Sequence, residues 1–534
     1  MASASASPRG VRRRLSRRLQ VSLVVESALV GLVAGAIVCL YRMSLSAAEG
    51  LLRRLVGVAG SSVAGVLGWL LVLAALLGLV TWLVRWEPAT SGSGIPQVDA
   101  EVMGQLDMPW HRVVPAKFVE GSALALAGLS LGREGPSVQL GGMSGKAVSR
   151  ALGRDRGEER LLVTCGAAAG MSAAFHAPLT GVLFALEEIH KQFTAPLIIT
   201  VMSSSIVADY LVSQVLGAKP VLEMAFSMDL PRLSYPFVVL LGVLCGVAGA
   251  LHNRGMFRCQ ELLSRIPSQV VRFGVPFALA GVAAFVMPQL MCGGDAILEG
   301  LLSGPRMGLA TMALLLVAKY LFTTVCFGSG APGGTLFPLV VMGALLGGIF
   351  SCACASLAGV PESFFPNFVA LGVAGLFSGV VRAPVTAVVL VFELTGSLDA
   401  LLSASIVSIV SYLVANLLRT DGFYEHLLAN LLGTTTEDPA VSGMQGGKVL
   451  RALHVAAGSR IEGQLIRDVD WPEATRVLMV ERAGTEVIPE GDTRLMALDE
   501  LLFVVDEDRA HDPYGELQAL CAAPMARRAS PGGS

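Results

Sequence analysis

The chain is poor in charge. Asp, Glu, Lys and Arg make up 15% of its 534 residues, against about 25% in soluble proteins. That shortage excludes an ordinary water-facing surface. An excess of basic residues is also missing. The net charge is −2, so no nucleic-acid partner is expected. The nine cysteines are scattered. Only Cys352 and Cys354 lie close together, in an apolar stretch with no His cluster nearby. This fits neither a zinc site nor a disulfide framework, and the thiols read as small buried hydrophobes. No metal or cofactor is expected. A Thr-Val-Gly-Tyr-Gly filter is absent, which argues against potassium transport. The basic start of the chain lacks a small-residue cleavage site after a short apolar core, so it does not read as a removable signal peptide.

What is present is hydrophobicity, at 53% of residues. It is gathered in long stretches, such as 27–41, 55–84, 195–217, 235–251, 307–318, 335–358 and 400–417. Several reach the ~20 residues a spanning helix needs. The chain reads as an all-helical polytopic membrane protein in a lipid bilayer. Its 60 glycines let helices approach closely in lipid and permit helices to stop halfway across. Residues 1–18 hold six arginines and no acid. The positive-inside rule keeps that end cytoplasmic, as a solvated basic tail.

The pattern changes near residue 419. The expected organisation is a basic tail at 1–18, a membrane domain at 19–430 and a linker at 431–446. A small α/β domain follows at 447–508, then a disordered tail at 509–534. The soluble part shows three short strands, Arg476–Glu481, Glu486–Ile488 and Glu500–Asp506, with a turn at Ala483-Gly484.

The membrane part repeats itself. Residues 166–188 match 372–394 at a constant offset of 206. The shared positions include Ser172/Ser378, Pro178/Pro384, Thr180/Thr386 and Glu187/Glu393. A second echo pairs Gly92-Ser93-Gly94-Ile95-Pro96 with Gly328-Ser329-Gly330-Ala331-Pro332. Two related halves are how many secondary transporters are built, with the site where broken helices meet. The sequence leaves open whether the halves are parallel or inverted.

The acid in Gly132-Arg133-Glu134-Gly135-Pro136 lies at membrane depth. A carboxylate there costs about 2.5–3.5 kcal/mol on insertion scales, so it marks a functional site by default. The flanking Gly and Pro break the helix, and broken backbone at that depth must be buried or line a wet cavity. Helix N-termini offer free N–H groups and about half a positive charge. That attracts a dehydrated anion without a full counter-charge. Gly92–Pro96, Gly132–Pro136 and Gly334-Thr335-Leu336-Phe337-Pro338 can each start such a helix. Lys117 and Lys319 also lie in apolar context. They either raise the local potential or snorkel to an interface.

These three motifs, with Tyr424, resemble the anion-site signatures of the CLC chloride channels and transporters, over roughly residues 20–430. Leu336 departs from the usual Gly-x-Phe-x-Pro pattern. The resemblance implies a two-repeat inverted fold, a homodimer with one pathway per subunit, and no enzymatic activity. It implies chloride binding at Ser93, Gly94, Ile95, Gly135, Thr335, Leu336 and Tyr424, with Glu134 as gate. It also places an internal proton-transfer acid at Glu188 rather than at Glu187, which favours a chloride/proton antiporter. Glu187 and Glu393 are expected to be structural, bonding free backbone near the broken helices. A passive chloride channel and a fluoride/proton antiporter are the alternatives on the same fold. The segment 447–508 resembles the RCK-C, or TrkA-C, regulatory domain, which implies a small-molecule ligand or dimerisation. It also points to a prokaryotic protein in the inner (plasma) membrane, with both termini cytoplasmic.

Overall fold

The computed structural model describes residues 8–191, 193–217, 224–226, 230–303, 307–433, 448–456, 458–472, 475–482, 485–497, 499–506 and 513–521. The chain divides into two compact units, Met1–Thr434 and Thr435–Ser534.

The first unit is built of helices. Among the described residues, nine are long and apolar enough to cross a membrane. Others stop short, where Gly or Pro interrupts them. In the expected basic tail at 1–18 the backbone is helical from Pro8, and it continues as one helix to Ala59. Arg has high helix propensity, and no Gly–Pro break separates the basic run from the apolar one. At the other end, helix Phe423–Leu432 runs past the expected boundary at 430 and is capped by Gly433 in the left-handed conformation. The rest of the expected linker lies outside the described residues.

Two helix pairs form the centre of this unit. Helix Glu134–Ala151 packs on Arg156–Phe175, and Leu336–Ala358 packs on the helix Phe365–Val381. Glycine permits both contacts. A Cβ on Gly343 would stand 2.8 Å from the Gly372 oxygen, and one on Gly141 would overlap the Gly166 oxygen.

The internal repeat is visible at two levels. His176 and Arg382 each end a helix with a positive φ, of 57° and 76°. Pro178 and Pro384 each open the next helix. Glu187, in the π-helical turn that continues the first of these helices, accepts from the N–H groups of Val385 and Thr386 at 3.2 and 2.8 Å. It also accepts from the Thr386 hydroxyl at 2.7 Å. Glu393 returns the arrangement, accepting from the N–H groups of Leu179 and Thr180 at 2.8 Å and the Thr180 hydroxyl at 2.6 Å. Each acid sits at the C-terminal end of its own helix and caps the N-terminus of its counterpart. The two helices therefore run antiparallel, as an inverted repeat requires.

The second unit is a small α/β domain. Strands β1 (Lys448–His454), β2 (Thr475–Arg482), β3 (Thr485–Val487) and β4 (Glu500–Asp506) form an antiparallel sheet in the order β1-β4-β2-β3. Three strands match the sequence reading. β1 is additional, because Lys448-Val449-Leu450-Arg451-Ala452 lacks a clean alternation. The expected turn at Ala483-Gly484 lies outside the described residues. The expected disordered tail is corrected in part. Residues Pro513–Cys521 form a helix, and Leu517 and Cys521 are buried with Val480, Leu501 and Phe503. Their four-residue spacing places both on one helical face.

Candidate anion and proton site

The second and third Gly/Pro motifs are hydrogen-bonded to each other, and the first is bonded to the loop that leads into the third. The Gly132 N–H donates to the Gly334 oxygen at 2.7 Å, and the Gly334 N–H donates back at 2.9 Å. The Gly92 N–H donates to the Gly330 oxygen at 3.1 Å, and the Gly333 N–H to the Gly92 oxygen at 3.0 Å. The loops of the second sequence echo thus meet directly. Each motif then opens a helix: Ile95–Met103, Glu134–Ala151 and Leu336–Ala358. Three helix N-termini, each with first-turn N–H groups that have no intrahelical partner, converge on one place.

Glycine is needed at this junction. A Cβ on Gly135 would lie 2.5 Å from the Ser93 carbonyl oxygen and 2.6 Å from its hydroxyl. Gly94 has φ +95° and faces Gln139, whose Oε1 would stand 2.7 Å from an added Cβ. Sequence reasoning missed Gln139. Its position one turn inside the Glu134 helix was the available signal. Its amide donates to the Ala89 oxygen at 2.8 Å.

Glu134 is fully buried. Its carboxylate rests against Gly132, where an added Cβ would overlap Oε2, and near Gly334. No side chain hydrogen-bonds to either carboxylate oxygen; the donors beside it are the backbone N–H groups of Glu134 and Phe337. Arg133 does not pair with it. The guanidinium lies over the Phe337 ring, 5.0 Å from its centroid. Ser93 and Tyr424 are buried. Tyr424, on helix Phe423–Leu432, lies close to the Ser93 and Thr335 side chains, within electrostatic reach of both Glu134 and Glu188. Thr335 and Leu336 are buried at the start of their helix. The structure therefore brings together Ser93, Gly94, Ile95, Glu134, Gly135, Thr335, Leu336 and Tyr424.

Glu188 stands apart from that junction. It lies in a six-residue π-helix, Ala185–His190, a form that often marks function. It is 8% exposed. The Tyr424 ring packs edge-on against Phe184, just before this segment, with centroids 6.1 Å apart. Beside Glu188, Lys191 pairs with the buried Asp99 at 3.7 Å. Sequence reasoning missed that pair, because its members are distant in the chain. Asp99 sits one turn beyond Ile95, on the same short helix.

Lys117 and Lys319 do not snorkel, since both are fully buried. Lys117 donates to the carbonyls of Thr90 and Gly92 at 2.7 and 2.8 Å. Lys319 donates to those of Leu290 and Cys292 at 2.9 and 2.8 Å.

Broken helices that aim their N-termini at a buried, unpaired carboxylate define a membrane transport protein for small ions. Comparisons with known proteins sharpen that class. The sequence model described as the voltage gated chloride channel matches residues 74–416. The chain is 31% identical to the H(+)/Cl(-) exchange transporter ClcA of Yersinia pseudotuberculosis serotype IB over 459 residues, covering 80% of this chain and 93% of the relative. It is also 31% identical to ClcA of Citrobacter koseri, with 82% and 94% covered. The crystal structure of a slow cyanobacterial Cl-/H+ antiporter superposes with a TM-score of 0.73 at 27% identity, covering 78% of this chain and 99% of that one. A CLC-type fluoride/proton antiporter gives 0.63 at 23% identity, covering 76% and 97%, and shares the fold. The chain belongs to the CLC, or voltage gated chloride channel, family, and is a multi-pass membrane protein. Residues 450–512 match the TrkA-C domain.

Proposed function

We propose that the protein exchanges chloride for protons across a membrane, with Glu134 as gate and Glu188 as internal proton-transfer acid. The observation that carries this reading is the Glu134 carboxylate. It is buried and unpaired where three helix N-termini converge. A negative group placed there occupies the position an anion would take. Protonation removes its charge, frees that position and loads the proton in one step. Ser93, Gly94, Ile95, Gly135, Thr335, Leu336 and Tyr424 supply the anion's surroundings through backbone N–H groups and two hydroxyls. An acid at Glu188 favours exchange over a passive channel, because it gives protons a second buried station. The relatives named as H(+)/Cl(-) exchange transporters support the same reading.

The reading extends to topology and assembly. The basic N-terminal segment supports a cytoplasmic N-terminus, and the reading puts the C-terminus on the same side of a plasma membrane. Two copies pair, each with its own pathway, and the TrkA-C-like domain binds a small-molecule ligand or pairs with its copy. The test is the reversal potential of the purified protein in liposomes with opposed chloride and proton gradients. A chloride gradient that drives protons uphill supports exchange. A reversal potential equal to the chloride equilibrium potential, with no proton movement, refutes it. Competition between fluoride and chloride decides the anion.

A further inference from the structure

Two carboxylates beside the gate have no part in the exchange just described. Gly132, Arg133 and Phe337 are among the residues that line a cavity of about 40 Å³, and Glu49 and Asp295 line it too. A second cavity of about 300 Å³ adjoins it and shares Glu49, Cys292 and Asp295. One water needs about 10–15 Å³, so the smaller space has room for about three or four. The Glu134 carboxylate presses on the backbone of Gly132, which belongs to this wall.

Glu49 and Asp295 come from distant parts of the chain. Glu49 lies near the far end of the first span, Val21–Ala59, and Asp295 opens the helix Asp295–Ser303. The charged groups that face Glu49 are Asp295, Arg133, Arg53 and Lys319. Lys319 is already committed to two carbonyls, and Arg133 lies over Phe337. Neither carboxylate is held in an ion pair among the described residues. The basic segment precedes the first span, so a cytoplasmic N-terminus puts this cavity on the outer side.

We propose that Glu49 and Asp295 form an outer carboxylate pair that exchanges protons between bulk water and Glu134. A hydronium ion gives its proton to one of the two carboxylates and leaves as water. The resulting carboxylic acid passes a proton through cavity water to the Glu134 carboxylate and regenerates its own negative charge. Two acids lining one cavity create a local negative potential that concentrates protons. The proposal rests on the reading of Glu134 as the proton carrier.

The test uses the full chain in liposomes. The double variant Glu49→Gln/Asp295→Asn is compared with the unaltered chain, and both again in a Glu134→Ala background. With Glu134 present, the double variant should slow coupled proton flux roughly tenfold at neutral external pH. That is less than the loss of a group acting in the reacting step itself, which costs about 10²–10⁴. The external pH dependence should also shift towards acid. The double variant Glu49→Asp/Asp295→Glu should restore rate and profile, which a packing defect would not allow. In the Glu134→Ala background the substitutions should leave chloride flux unchanged. An equal loss of chloride flux there overturns the proposal, since the pair would then act on the anion. An unmoved pH profile with Glu134 present overturns it too. If Glu134→Ala alone still moves protons uphill, the reading of Glu134 fails, and the proposal with it.

Discussion

Changing Glu187 to Gln should weaken the membrane unit and spare proton coupling, whereas changing Glu188 to Gln should do the reverse. The two acids are neighbours in sequence and have different surroundings. The Glu187 carboxylate already accepts three hydrogen bonds, from the N–H groups of Val385 and Thr386 and the Thr386 hydroxyl. A group so occupied is poorly placed to shuttle a proton. Gln has one acceptor oxygen, which can keep the two bonds of Thr386. Its NH₂ then faces the Val385 N–H, so one donor loses its partner and the others lose a charged acceptor. A hydrogen bond to a charged group is worth about 1.5–3 kcal/mol, which sets the expected cost of Glu187→Gln. Glu187→Ala removes the whole cap. It leaves the two part-buried Thr386 donors without their acceptor, at about 1–3 kcal/mol each, giving roughly 2–6 kcal/mol. Glu393 makes the same three bonds across the repeat, so Glu393→Ala should cost a similar amount. The assay is denaturant unfolding in detergent, with chloride-driven proton uptake in liposomes on the same preparations. Full stability of Glu187→Ala, or loss of coupling in Glu187→Gln with Glu188→Gln still coupled, would refute the reasoning.

Other outcomes follow from the same geometry. Glu134→Ala should conduct chloride as fast as the unaltered chain or faster and move no protons; uphill proton transport by this variant sinks the gate assignment. Ser93→Pro removes a hydroxyl beside the anion position and should raise nitrate over chloride permeability; an unchanged ratio would make Ser93 only a turn residue. A chain cut after about residue 440 should still fold and transport, with altered regulation or dimer stability, because every site residue precedes 425; loss of flux would count the C-terminal domain as transport machinery. In that domain, burial opposes ionisation of Asp499, but the Arg482 guanidinium and the Met496 N–H outweigh it and hold the carboxyl below its usual range. Its contribution to stability is therefore complete above about pH 3.9, the unperturbed value, and is lost as pH falls below that. Amide exchange of residues 448–506 in the full chain should show this acid loss, and Asp499→Asn should flatten it.

The sequence made the site legible wherever lipid imposes a rule. An acid at membrane depth, and Gly/Pro breaks in apolar runs, are costly features that chance does not supply, and Glu134, Ser93 and Thr335 follow from them. Glu187 and Glu393 were legible as structural because the repeat relates them. What stayed hidden is what depends on a third dimension. Asp99 looks like any acid on a short helix until Lys191 is beside it. Glu49 sits in an ordinary amphipathic stretch and shows its place only through the cavity it shares with Asp295. The helix Pro513–Cys521 was hidden by a polar, Pro-rich context, although Leu517 and Cys521 carried the spacing. The orientation of the halves needed the reciprocal caps.

The buried lysines show how far such reasoning can go once the backbone is known. A lysine in an apolar run can snorkel or stay inside, and composition does not decide between them. In this fold the broken helices leave carbonyls without helical partners, and a buried ammonium needs acceptors. Lys117 meets both needs by binding the oxygens of Thr90 and Gly92. The peptide unit is planar and trans, so the Gly92 oxygen and the Ser93 N–H point in opposite directions. Holding that oxygen on Lys117 turns the Ser93 N–H away from the lysine. The charge thus acts on the anion site through the backbone it orients, without contact with the anion. By the same logic, Lys117 replaced by Met would leave the Thr90 carbonyl unpaired and the Gly92 carbonyl with only the Gly333 N–H, which loosens the Ser93 loop. That distinguishes a positioning role from a simple contribution to positive potential, which an arginine in its place would preserve.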